Sequence, residues 1–242
     1  MNEYNLYQGD CLNVLPSLDN DSVDLIIIDP PYGIDFDTNR RKKKPDNVGA
    51  ILNDDDFAFE LMSKITPELH RILKDDSAIY CFCRWDVYPQ FKEILEKQFH
   101  LKNLLIWVKN VHGMGDLEGS YATQYECIIF AVKGRHLLND GRDPDVLFFD
   151  KVPAGGLIHS HQKPEKLIKY LINKSSKEGD TVLDCFLGSG TTFYACQNNR
   201  RSCIGVELDP KYIDIIKTRA WGRQFLDRKV KYEFMIVVDE VR

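Results

Sequence analysis

No apolar run in this chain approaches the length that crosses a bilayer, and the polar start, Met1-Asn2-Glu3-Tyr4-Asn5, lacks the form of a signal peptide. A cytoplasmic protein with no membrane partner is the expectation. Gly-Lys-Ser/Thr does not occur, which argues against a Walker-type phosphate loop. Internal repeats and low-complexity segments are missing as well. The seven cysteines are odd in number and scattered through apolar runs, which suits reduced thiols rather than a disulfide framework. Cys81 and Cys83 alternate on an expected strand, but no second ligand pair follows, so packing is expected there and no metal. Charge of one sign is not in great excess either. A net charge of −5 gives no general attraction for nucleic acid, so any such role must rest on local charge.

What is there reads as strands alternating with helices. Strands are expected at 4–7, 23–28, 77–83, 101–108, 124–132, 181–183 and 202–206, with an added edge strand in the tail at 232–238. Helices are expected at 57–73, 88–98, 165–173, 191–199 and 210–220, the first carrying Phe57, Leu61, Ile65, Leu69 and Ile72 at helical spacing. Pro164 suits the first position of its helix. Residues 33–56, 112–120 and 134–158 read as loops. The alternation predicts an α/β fold, a doubly wound and mostly parallel sheet with helices on both faces. All 242 residues are expected to form one domain.

The most informative stretch is Asp29-Pro30-Pro31-Tyr32, directly after Val23-Asp24-Leu25-Ile26-Ile27-Ile28. The β-branched run suits a strand buried on both faces. Proline cannot donate a ladder hydrogen bond, so the strand stops there. A carboxylate, a stiff turn and an aromatic ring are thus set at a strand's carboxyl end, where ligands bind in open α/β sheets. An acceptor-rich turn beside a stacking ring suits a planar heterocycle with an exocyclic amine. The plainer reading is a strand terminator with a surface tyrosine.

A second constellation, Asp184-Cys185-Phe186-Leu187-Gly188-Ser189-Gly190-Thr191-Thr192, follows a strand and opens a helix. Its glycines allow a tight turn and close approach of backbone to a ligand. Glu207 ends the next strand, about 20 residues on, where an acid can bind ribose hydroxyls. These two features alone would also suit a nicotinamide dehydrogenase. Glu207 alone could equally be an acid offsetting a helix dipole.

Taken together, these motifs make the sequence similar to the amino-methyltransferases of DNA that use S-adenosylmethionine. It resembles their permuted β-type group, in which the catalytic half precedes the cofactor half, over residues 4–220. The resemblance implies a circularly permuted Rossmann-like sheet with a catalytic half at about 1–133, a short variable segment at 134–160, a cofactor half at 161–220 and a tail at 221–242. It implies that Asp29, Pro30, Pro31 and Tyr32 are catalytic, and that Asp29 also borders the cofactor. Asp184, Phe186, Gly188, Ser189, Gly190, Thr191 and Thr192 match the methionine-binding turn, with Cys185 where proline is common. Glu207 matches the ribose acid and Leu208 the apolar residue beside the adenine. Asp10 and Cys11, in Gly9-Asp10-Cys11, match a turn that contacts the adenine amino group. His161-Gln162-Lys163-Pro164 resembles the family's Gln-Lys-Pro element, making Lys163 a candidate for the methionine carboxylate and otherwise a solvated helix-start lysine. The permutation predicts that strand 4–7 lies beside strand 202–206, bringing the chain ends together.

The resemblance implies methyl transfer to adenine N6 in duplex DNA, with cytosine N4 as the alternative because Asp rather than Ser opens the catalytic motif. RNA or small-molecule methylation, or a regulator that binds the cofactor without catalysis, are the remaining readings. Asp29 and the Pro30 carbonyl would accept the two amine N–H bonds, while Tyr32 stacks on a flipped base and Tyr125 or Trp107 covers its other side. The chain has no Pro-Cys dipeptide, the nucleophile signature of carbon-5 cytosine methyltransferases. Arg40, Arg41, Lys42, Lys43 and Lys44 form a basic run suited to DNA phosphates, or else a solvated charge run. The interval 133–160 is too short for a separate recognition domain, so loops 33–56 and 110–122 or a dimer partner would read the bases. A cognate restriction endonuclease is the other partner the resemblance implies.

Overall fold

Ile26 and Ile28 pack into one apolar cluster and Leu25 and Ile27 into another, so the strand they form, β2 (Val23–Ile28), is buried on both faces. The structure is a computed structural model and describes residues 2–32, 57–113, 118–153, 162–224 and 230–237. The other described strands are β1 (Asn2–Gln8), β3 (Leu73–Cys83), β4 (His100–Val108), β5 (Tyr125–Lys133), β6 (Val146–Phe148), β7 (Thr181–Asp184), β8 (Ser202–Glu207) and β9 (Val230–Ile236). They form a single sheet in the order β6-β4-β5-β3-β2-β7-β8-β1-β9. Among the described strands β5 runs against its neighbours β3 and β4, and the remaining pairs are parallel.

Among the described residues six α-helices cover the faces: α1 (Cys11–Val14), α2 (Phe57–Ile72), α3 (Tyr88–Leu95), α4 (Glu165–Ser175), α5 (Thr191–Asn198) and α6 (Pro210–Gln224). Leu61, Ile65 and Leu69 of α2 and Phe91 and Leu95 of α3 join Ile26 and Ile28 on one side. Leu167 and Leu171 of α4, Phe193 of α5 and Ile213 and Ile216 of α6 join Leu25 and Ile27 on the other. This is the expected doubly wound α/β architecture. The segment β2-α2-β3 steps one way along the sheet and β7-α5-β8 steps the other. The winding therefore reverses between β2 and β7, and open α/β sheets take their ligands in the crevice at such a reversal.

The permutation is realised as expected. β1 lies parallel to β8, with Leu6 opposite Gly205, and the tail strand β9 adds to the free edge of β1. Three local expectations need correction. The segment 134–158 contains β6, paired with β4 through Ile106, Trp107 and Val108; three residues between acidic and Pro-rich flanks carry no readable alternation. β3 begins at Leu73 rather than 77, where Asp75 and Asp76 hide it and Asp76 sits at φ +58. Pro164 is the N-cap of α4 with extended backbone, one position before the helix. Among the described residues no helix is long and apolar enough to cross a membrane, and no cluster of ligands suits a metal ion. All seven cysteines are buried and unpaired.

Candidate active site

The Asp29–Tyr32 turn begins one residue after β2, and its first side chain is held on both oxygens. Asp29 Oδ1 accepts a hydrogen bond from the Tyr32 hydroxyl at 2.5 Å, and Oδ2 accepts one from Lys163 Nζ. Pro30 and Pro31 are buried and set the turn that brings Tyr32 back to its own motif's carboxylate. Burial first, and then the Asp29 and Glu126 carboxylates, push the Tyr32 hydroxyl well above its usual range, so it stays a donor.

Lys163 is 8% exposed and also lies 3.4 Å from Glu126 Oε2, while Glu126 Oε1 accepts from Lys109 Nζ at 2.5 Å. Burial lowers the Lys163 ammonium, but Asp29 and Glu126 outweigh it and hold it above its ordinary value. Burial likewise raises the Glu126 carboxyl, yet Lys163 and Lys109 bring it down to about 2. Four charges of alternating sign therefore line the site: Lys109, Glu126, Lys163 and Asp29. The sequence reading missed Glu126 and Lys109. The available signal was a lone acid, Glu126, opening the otherwise apolar strand Cys127-Ile128-Ile129-Phe130. Lys163, expected at the methionine carboxylate, is placed on Asp29.

The glycine turn leaves β7, the neighbour of β2. Asp184 is buried and fastens it, accepting from the Phe186 N–H at 3.0 Å and the Thr192 hydroxyl at 2.6 Å. Burial pushes the Asp184 carboxyl up to about 7. Gly188 at φ +54 and Gly190 at φ +85 adopt left-handed backbone that other residues resist. A Cβ on Gly190 would meet Ile216 at 2.8 Å, whereas one on Gly188 would meet open space. Gly190 is thus glycine for packing, and Gly188 leaves an approach to the backbone. Ser189 and Thr192 are buried within the turn, Thr191 opens α5, and Phe186 is partly buried against the core.

Glu207 ends β8 and takes the Gly188 N–H at 2.6 Å and the Asp209 N–H at 2.8 Å. Burial raises its carboxyl to about 7 despite those bonds. Leu208 beside it is 40% exposed, as a residue facing a ligand must be. Asp10 ends the turn after β1 and caps α1 by accepting from the Leu12 N–H at 2.9 Å. The Gly9 N–H bonds the Glu207 carbonyl at 3.0 Å, so Asp10 and Glu207 are set on adjoining strand ends. Cys11 and Cys185 are both buried behind the turn.

These residues fit S-adenosylmethionine. Acids at the ends of β1 and β8 offer acceptors for an amine and for ribose hydroxyls, Leu208 offers an exposed apolar face, and Gly188 leaves its turn open. The Asp29 carboxylate suits a neighbouring sulfonium. One stacking candidate is corrected: Trp107 is 1% exposed in the core, with its indole N–H on the Phe149 carbonyl at 2.8 Å. Tyr125, exposed at the start of β5, is left for that place. Arg40, Arg41, Lys42, Lys43 and Lys44, the loop 33–56 and His161 lie outside the described residues.

A model of the DNA methylase family, of N6 and N4 methyltransferases, matches residues 23–145 and 145–218. Type II methyltransferase M.HpaI of Haemophilus parainfluenzae is 30% identical over 236 residues, 87% of this chain and 72% of its own. DNA adenine methyltransferase YhdJ of Escherichia coli is 28% identical over 242 residues, 86% of this chain and 79% of its own. Among solved structures, the M1.HpyAVI-SAM complex gives a TM-score of 0.67 at 24% identity, covering 90% of this chain and 99% of that one. That last likeness is one of fold.

Proposed function

This chain belongs to the N6/N4 DNA methylase family, and from that premise we propose that it methylates the exocyclic N6 of adenine in duplex DNA. The observation that carries the reading is the pairing of Asp29 with Tyr32 at the carboxyl end of β2, next to the glycine turn of β7. When bound, S-adenosylmethionine supplies a methyl group made electrophilic by a sulfonium. An aromatic exocyclic amine is a poor nucleophile because its lone pair is delocalised into the ring. Asp29 and the Pro30 carbonyl accept its two N–H bonds, which favours pyramidal nitrogen and stabilises the positive charge that develops there. The methylated nitrogen then loses one proton to solvent, which returns it to a neutral amine. Tyr32 and Tyr125 bracket the base, which must leave the duplex to reach them, at a cost of about a few kcal/mol.

Adenine rather than cytosine is supported by Asp in the first catalytic position and by the likeness to a relative named as an adenine methyltransferase. Cytosine N4 is the second reading, since the same acceptors serve either amine. The chain acts as one domain in this reading, with the cofactor held by Asp10, Cys11, the 184–192 turn, Glu207 and Leu208. A DNA substrate places it in the cytoplasm of a bacterial host, with a second copy or a cognate endonuclease as protein partners. Sequencing of DNA from a modification-free host expressing the protein should reveal N6-methyladenine at one recurring site. N4-methylcytosine there would select the second reading, and unmodified DNA would overturn both.

The basic run Arg40 to Lys44 supplies phosphate contacts in this reading. Changing all five residues to Gln should weaken binding to every DNA sequence alike and flatten the salt dependence. Each lost phosphate contact removes about 0.9 from the slope of log affinity against log salt. A slope unchanged from wild type would take this segment out of the interface.

A further inference from the structure

We propose that Glu126 is a positioning residue for methyl transfer, acting through Lys163 to keep the Asp29 carboxylate available to the target amine. The inference rests on Asp29 being the residue that faces that amine. Asp29 Oδ2 is bonded to a buried ammonium, Lys163, and so is not a bare carboxylate. A buried ammonium with one anionic partner commits its full charge to that partner, because little solvent screens it. Such a pair would serve the reaction badly: the amine becomes cationic as the methyl group arrives, and a fixed positive charge beside it opposes that change.

Glu126 is placed to offset this. Its Oε2 is shielded from solvent, accepts no hydrogen bond among the described residues, and lies 3.4 Å from Lys163 Nζ. A buried carboxylate oxygen left without a hydrogen-bond donor is costly, so its position here calls for an explanation. Dividing the Lys163 charge between two carboxylates, Asp29 and Glu126, provides one. Lys109 holds the other oxygen of Glu126 at 2.5 Å and so fixes its direction. The two carboxylates and two ammonium groups sum to zero. Removing the charge of Glu126 leaves one uncompensated positive charge next to the reacting nitrogen.

Glu126→Gln keeps the shape and removes the charge. Single-turnover methylation of a duplex bearing the recognition site should slow by about 10²-fold, as when one preorganised group is lost, with cofactor and DNA affinity unchanged. The decisive comparison repeats the substitution in a Lys163→Met background. Because Glu126 acts through Lys163, K163M/E126Q should methylate no more slowly than K163M alone. A merely structural glutamate would cost the same factor in both backgrounds, and that result would overturn the inference, as would an E126Q rate equal to wild type. If E126Q does not fold, Glu126→Asp replaces it: the carboxylate drawn back by one methylene should slow the wild-type background and leave the K163M background unmoved. Wild-type protein that methylates no DNA sinks the functional reading itself, an outcome distinct from an unaffected E126Q.

Discussion

Asp29→Ala is expected to reduce methyl transfer by about 10³-fold or more in kcat, the upper range for losing a preorganised electrostatic contact, while S-adenosylmethionine still binds. Both parts follow from the geometry. The carboxylate accepts from Tyr32 and Lys163 and so is fixed in direction before any base arrives. In the proposed reading its substitution removes the acceptor for the amine and also takes from Lys163 and Tyr32 the carboxylate they share. Cofactor affinity should survive because the glycine turn and Glu207 leave β7 and β8, whose strand pairing does not involve the Asp29 side chain. Transfer of radiolabelled methyl groups into duplex DNA in a single turnover checks the first part, and equilibrium binding of the cofactor checks the second. Substantial residual transfer in the variant would remove Asp29 from the catalytic role. Failure to bind the cofactor at all would instead make it part of the cofactor site.

The parts of this molecule that were legible in the sequence are those where local rules and tertiary position agree. Ile26-Ile27-Ile28 must be a buried strand, Pro30 must end it, and a left-handed Gly188 and Gly190 must turn the chain out of β7; each follows from backbone physics within a few residues. The neighbouring of β1 and β8 was legible from motif order. Illegible were the contacts between residues far apart in the chain that carry charge. Apolar periodicity assigns a residue to a face but does not name the partner it finds there, so Lys163 meeting Asp29 across 134 positions of sequence had no local trace. The same limit hid Glu126 and left Trp107 beside Tyr125 as a candidate to cover the base. Its strand β4 is flanked by polar loops, and the covering strand β6 is three residues long. An aromatic side chain by itself does not distinguish a stacking platform from a core residue whose indole N–H has found a carbonyl.

The cofactor site should show opposite pH dependences for stability and for binding. Burial holds the carboxyls of Asp184 and Glu207 up at about 7 in the folded protein, above their values in an unfolded chain. Stability from such raised groups is fully present below the unfolded values and is lost as pH rises through about 7, so the free protein should melt at lower temperature toward neutral pH. Cofactor binding should strengthen over the same interval. In the proposed reading ribose hydroxyls donate to Glu207, and an ionised carboxylate accepts them far better than a protonated one, so binding must displace the proton that burial retains. Below about pH 7 the dissociation constant should rise by about tenfold per unit, with close to one proton released on binding. Asp184 does not share this behaviour because it is buried beneath the turn it fastens, whereas Glu207 is only partly buried at the end of β8. Glu207→Gln isolates the group. The variant should bind the cofactor about tenfold to a hundredfold more weakly above neutral pH, as expected for losing a hydrogen-bonded charge worth about 1.5–3 kcal/mol. Its binding should also lose the pH dependence, and its free form should be the more stable one at alkaline pH. Calorimetric titrations in two buffers of different ionisation enthalpy measure affinity and proton release together. A Glu207→Gln protein that binds as wild type does above neutral pH would take the ribose contact away from this carboxylate and leave it as a fastener of the Gly188 turn.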